Sequence, residues 1–162
     1  MINTSYIELS EGAVKNNIEF IQNQLGEGVT FSSVVKGNAY GHSINYYCPL
    51  AHKYGVRHFS VFSAEEAFNV TKALPNHTYT LLIMGYLENE ELAWAIESGI
   101  HFYVFEMDKL NEAIRSSKKL GIKANIHLEL ETGMNRTGFD PKMVDLVLEK
   151  VKQNLQFINV QG

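Results

Sequence analysis

A chain of 162 residues, 45% hydrophobic and 20% charged with a formal net charge of −4, has the makeup of a globular domain with a sizeable core. Mild acidity without runs of like charge excludes the basic footprint that nucleic acid or an anionic membrane surface needs, and no apolar stretch approaches the roughly 20 residues that span a bilayer. The start, Met1-Ile2-Asn3-Thr4-Ser5, lacks the basic and apolar regions of a signal peptide, so the expected compartment is the cytoplasm.

In chain order, the first apolar run, Tyr6–Leu9, predicts a strand. Ser10 is a plausible N-cap for a helix over Glu11 to Leu25, with Val14, Ile18, Ile21 and Leu25 on one face. Further strands are expected at Val29–Val35, His58–Phe62, Tyr79–Met84, His101–Phe105, Ala124–Leu130 and Leu155–Val160. Between them, helical periodicity predicts helices near 43–54, 64–74, 88–98, 107–119 and 141–152. Ser63-Ala64-Glu65-Glu66 reads as a capping box, Asp140-Pro141 as a cap with an N1 proline, and Gly26, Gly55, Gly99 and Gly121 as helix stops.

From Val29 onward a strand–helix unit recurs every ~20–30 residues, the spacing of crossovers onto a parallel sheet. The fold class is therefore α/β, with no internal domain boundary marked by composition. Six strands begin with Val29–Val35, whereas a closed (β/α)₈ barrel needs eight and about 250 residues. Periodicity alone leaves an incomplete barrel and an open doubly wound sheet as equal readings.

The single cysteine, Cys48, excludes an internal disulfide and reads as a small buried hydrophobe. The six histidines offer no i, i+4 pair and no HExxH, so no metal site is expected.

Chemistry gathers at two strand ends. Lys36 follows Phe31-Ser32-Ser33-Val34-Val35, at the carboxyl end of a strand where α/β folds place their active groups. Partial burial favours the neutral amine, a nucleophile that forms imines with aldehydes. The glycines at 37 and 41 allow a sharp turn, and Asn38, Tyr40 and His42 add polar groups. The second cluster ends the alternating strand His127-Leu128-Glu129-Leu130-Glu131 and continues as Thr132-Gly133-Met134-Asn135-Arg136-Thr137-Gly138-Phe139. The Arg136 guanidinium, always charged and forked, suits an oxyanion. Glu131 and His127 read as a polar turn residue and a hydrogen-bonded strand histidine.

The run Val34-Val35-Lys36-Gly37-Asn38-Ala39-Tyr40-Gly41-His42 closely resembles the pyridoxal-phosphate (PLP) attachment motif of the alanine racemases. Thr132-Gly133-Met134-Asn135-Arg136-Thr137-Gly138 resembles that family's second signature, with Thr137 at a usually aliphatic position. The resemblance runs along essentially all 162 residues and implies a PLP-binding (β/α)₈ barrel, incomplete here with about six of eight strands. Residues 1–162 then form the N-terminal barrel portion, 1–10 being a strand that leads in from a β-rich C-terminal domain. It further implies that Lys36 carries PLP as a Schiff base and acts as base on one face of the substrate. Tyr40 would contact the cofactor phosphate, Met84 pack against the cofactor, Arg136 lie beside the ring oxygen or the substrate, and Met134 stand near the active-site mouth. Many family members carry a carbamylated lysine where this chain has Glu129, so glutamate is expected to supply that negative charge directly and to hold Arg136.

The activity the resemblance implies is interconversion of L- and D-alanine for cell-wall precursors by a homodimer. Racemisation needs two acid/base groups. In the family the second is a tyrosine of the partner's C-terminal domain, so residues 1–162 alone are expected to lack activity. A racemase of other amino acids on the same scaffold is the near alternative. A non-catalytic PLP-binding homeostasis protein of the related single-barrel type would share the lysine but not the Thr-Gly-Met-x-Arg signature. A degenerate interaction module would bind no PLP at all.

Overall fold

The computed structural model describes residues 5–162, which divide into two compact units, one up to Leu81 and one from Leu82 to Gly162. The boundary falls inside a strand, so each unit is built from the same alternation of strand and helix.

In the first unit, α1 (Glu11–Gln24) starts where the Ser10 hydroxyl accepts the Ala13 N–H at 3.3 Å, and it buries Val14 and Ile18. Strands β1 (Ser32–Val34) and β2 (His58–Val61) pair in parallel, Ser33 opposite Phe59 and Val34 opposite Ser60. A five-residue element, α2 (Lys36–Tyr40), follows β1 directly and leads to α3 (Ile44–Lys53). Then α4 (Ala64–Ala73) starts with a complete capping box: Ser63 accepts the Glu66 N–H, and the Glu66 carboxylate accepts the Ser63 N–H. Val35, Phe59 and Val61 are buried, as are Ile44, Cys48 and Ala51 of α3 and Ala67 and Val70 of α4.

The second unit holds the latter half of β3 (Thr80–Ile83), then α5 (Asn89–Glu97), β4 (His101–Val104), α6 (Met107–Leu120), β5 (Ala124–Leu128), a 3₁₀ turn at Pro141–Met143, α7 (Val144–Lys152) and β6 (Ile158–Val160). Its strands are parallel in chain order, with Ile83 opposite Phe102, Phe102 opposite Ile126 and Ile126 opposite Val160. The two faces of β4 divide with the strand period of two: Phe102 and Val104 are fully buried, while His101 and Tyr103 are half-buried. Burying one such phenylalanine contributes about 3 kcal/mol, so this apolar face anchors the unit.

The expected helices all form, within a few residues of their caps. The strands are shorter than their apolar runs. Residues 153–157 continue the turn after α7, Phe157 and Ile158 both donating to the Asn154 carbonyl, so the predicted strand over Leu155–Val160 begins only at Ile158. Tyr6–Leu9 forms no strand within the described residues, and Tyr6 and Ile7 are largely exposed. A strand requires a hydrogen-bonding neighbour, and this segment has no ladder partner among the described residues. Residues 1–4 of the expected lead-in lie outside the described residues.

Candidate functional site

In the first unit the structure places Lys36 at the carboxyl end of β1, half-buried, between two anchored neighbours. Val35 donates to the Ser60 carbonyl of β2 at 2.8 Å and accepts from Ala39 at 2.7 Å. On the other side, the Gly37 N–H donates to Glu66 Oε1 of α4 at 2.5 Å, while Glu66 Oε2 accepts from Phe62 at 2.8 Å.

The backbone after Lys36 is left-handed. Gly37, Asn38, Ala39 and Tyr40 have φ of 61°, 53°, 56° and 52°, making one turn of a left-handed helix closed by Gly41 N–H to the Gly37 carbonyl at 3.1 Å. That conformation costs roughly 1–2 kcal/mol for each residue with a side chain, and Asn38, Ala39 and Tyr40 all carry one. Local hydrogen bonds offset part of this cost: the Asn38 side chain accepts the Ile44 N–H at 2.9 Å, capping α3, and its carbonyl accepts from Ser43 at 3.0 Å. Strain of this kind persists only where the surroundings over-determine it, and it concentrates at functional positions. The turn leaves Tyr40 63% exposed, its phenol available to a ligand.

In the second unit the polar cluster is a pinched loop. Glu131 N–H donates to the Phe139 carbonyl at 3.0 Å and Phe139 N–H to the Glu129 carbonyl at 2.8 Å, closing residues 131–139 at the end of β5. The Glu131 carboxylate folds back into the loop and accepts the backbone N–H groups of Gly133 and Arg136. Backbone N–H donation, from Asn135 first and then Gly133, holds its carboxyl below the ordinary 4.5. A residue expected to be only a polar turn position is thus the loop's internal scaffold. Met134, 75% exposed, and Arg136, also exposed, project from the loop it organises.

Glu129, expected to support Arg136, has another hydrogen-bond partner in this structure. Glu129 Oε1 accepts the Thr137 hydroxyl at 2.9 Å, and Arg136 forms no ion pair among the described residues. The glutamate is short, and the hydroxyl next to the arginine lies within its reach. The two positions that depart from the family signature are therefore hydrogen-bonded to each other.

Met84 directly follows β3 and is half-buried. The segment after it is pinned by a residue that the sequence pattern does not single out: Lys109, 3% exposed, donates to the Leu87 carbonyl at 2.5 Å and to Glu112 Oε2 at 2.6 Å, and lies 4.1 Å from the centre of the Tyr86 ring. With three such partners, this buried cation fastens the β3–α5 connection to α6. On the polar side of β4 and β5, His101 Nδ1 and His127 Nε2 are 3.1 Å apart, and burial pushes the His127 imidazole below its ordinary 6.5.

The structural likeness to solved alanine racemases is close across almost the whole chain. The Clostridium difficile enzyme superposes with a TM-score of 0.83 at 28% identity, covering 92% of this chain and 39% of that one. The Enterococcus faecalis enzyme gives 0.84 at 25% identity, covering 94% and 41%. In sequence, the chain is 30% identical to the alanine racemase of Methanococcus maripaludis over 97% of its own length and 42% of the relative's, and 33% identical to that of Listeria monocytogenes over 83% and 35%. The chain thus spans about 40% of the length of the relatives it matches. Its fold class is the α/β barrel of these enzymes, of which it carries six parallel strands with their helices. The model of the alanine racemase N-terminal domain matches residues 9–162, and the chain belongs to that family.

Proposed function

We propose that this chain is the cofactor-bearing part of a PLP-dependent alanine racemase that works in the cytoplasm as a homodimer and supplies D-alanine for peptidoglycan. The observation that carries the reading is the position of Lys36: an amine on a strand's carboxyl end, held between two hydrogen-bonded neighbours at the head of a strained turn.

The donor set suits the cofactor. In the first unit a primary amine matches its aldehyde and the exposed Tyr40 offers a phenol that suits its phosphate; in the second unit, taken by itself, the guanidinium of Arg136 is of a kind that suits a ring oxygen or a substrate carboxylate. Met84 offers an apolar surface and Met134 a flexible one at the entrance. When bound, pyridoxal phosphate supplies the electron sink that makes an amino acid's α-proton removable. Lys36 Nζ would take or return that proton on one face, and the guanidinium of Arg136 would favour negative charge on an oxygen placed beside it. Glu129 bears on Arg136 only through the Thr137 side chain and the loop that joins them. The group serving the opposite face comes from outside residues 1–162, so this chain alone is inactive.

The test is to incubate the purified protein with pyridoxal phosphate, reduce with borohydride and map the labelled peptide. The label is expected on Lys36. Labelling elsewhere, or none, overturns the reading. Robust alanine racemisation by residues 1–162 alone would overturn the assignment of the second group.

A further inference from the structure

We infer that Glu66 is the positioning residue for Lys36, and that its carboxylate joins the α4 cap to the left-handed turn; the inference rests on Lys36 being the cofactor-bearing amine. Glu66 is half-buried, and its two oxygens do different things. Oε2 accepts from Phe62 at 2.8 Å and Ser63 at 3.4 Å, the ordinary business of the third residue in a capping box. Oε1 reaches a segment 29 residues earlier and accepts the Gly37 N–H at 2.5 Å.

That N–H belongs to the peptide plane immediately after the Lys36 α-carbon. Val35 is fastened to β2 through Ser60, so the lysine's backbone is fixed on one side by the sheet and on the other by Glu66. Without Oε1, the Gly37 amide has no other hydrogen-bond acceptor among the described residues, and Gly37, at φ 61°, is the residue of the turn most free to rotate. A glycine at the head of a strained turn relaxes readily once its donor is released, and the direction of the lysine side chain relaxes with it. A displacement of about 1 Å in a reacting group is enough to cost of order 100-fold in rate. Helix capping alone needs only the Oε2 contacts, so the second oxygen's reach across to Gly37 is not explained by α4.

Two observables are followed in parallel: hydrogen exchange at the Gly37 amide, and the rate at which pyridoxal phosphate is captured at Lys36 as a borohydride-stable adduct. Glu66→Ala removes both acceptors and is expected to raise Gly37 exchange and slow adduct formation at least tenfold. Glu66→Gln keeps one acceptor oxygen and is expected to fall between Glu66→Ala and the unaltered protein. Ser63→Ala breaks the other half of the same capping box while leaving the carboxylate in place, and should change neither observable by more than about twofold. Unchanged Gly37 exchange and capture in both Glu66 variants would overturn the inference, as would Ser63→Ala reproducing their effects. If Glu66→Ala does not fold, Glu66→Gln against Ser63→Ala carries the decision. Should the unaltered protein take no adduct at Lys36, the proposed function fails, and Gly37 exchange still decides whether Glu66 holds the turn.

Discussion

Replacing Gly138 by alanine tests the loop that presents Arg136. At φ 118° the residue is in a region that L side chains rarely adopt, and an added Cβ would stand 2.5 Å from the Glu131 nitrogen and 2.7 Å from the Leu130 carbonyl carbon. Both are backbone atoms, and the Glu131 nitrogen is the one that donates to Phe139 to close the loop. Backbone strain of roughly 1–2 kcal/mol and overpacking of roughly 1–3 kcal/mol give an expected loss of about 2–5 kcal/mol. Gly133→Ala separates the two contributions, because Gly133 has a similar φ of 122° with nothing within 4 Å of the added carbon. Urea unfolding of each variant, read as a shift in midpoint at constant slope, gives the comparison. Gly138→Ala should be the more destabilised by at least about 1 kcal/mol, the low end of an overpacking cost. Equal losses would refute the claim that the Gly138 site is closed by the Glu131 backbone.

Three further outcomes are expected. Phe102 is fully buried, and Phe102→Ala should cost about 3–5 kcal/mol in urea unfolding; a loss under 1 kcal/mol would show that the apolar face of β4 does not anchor its unit. The His127 imidazole titrates below its ordinary 6.5 when folded, so the unfolded chain takes up the proton first as pH falls. Stability from this group is present above pH 6.5 and is lost as pH drops below it through the lowered folded value. His127→Gln should flatten the stability profile in that window, and an unaltered profile would count against it. Burial pushes the Cys48 thiol up to about 12, so the folded protein should resist thiol reagents at pH 8 and react only in urea; rapid labelling of the native protein would contradict the burial.

Helix starts were legible because caps are local: Ser10, Ser63 with Glu66, and Asp140 with Pro141 each act within a few residues of themselves. Strand limits were less so, since a run such as Leu155–Phe157 has strand composition but is claimed by the turn on Asn154. The left-handed turn could not be read at all. Its glycines hint at a bend, but positive φ at Asn38, Ala39 and Tyr40 goes against their own preferences, and the residues that lead into the turn, Val35 and Gly37, are fastened by Ser60 and Glu66, far away along the chain. Glu129 shows a different limit. The family resemblance suggests Arg136 as its partner, whereas the structure gives Glu129 the Thr137 hydroxyl. Lys109 is not legible for the related reason that a lysine on a helix reads as solvated until its neighbours are known.

The handedness of the turn after Lys36 also bears on the order in which the molecule comes apart. Right-handed helices and short strands persist in expanded, loosely packed states, because their hydrogen bonds are local or repetitive. A run of left-handed residues has less reserve: its few local bonds work against the residues' own preferences, and its tie to the rest of the unit includes single contacts from β2 and α4. The geometry around the lysine is therefore a more sensitive gauge of native packing than the circular dichroism of the chain. Mild acid or denaturant would silence the amine while the helical signal still looked intact.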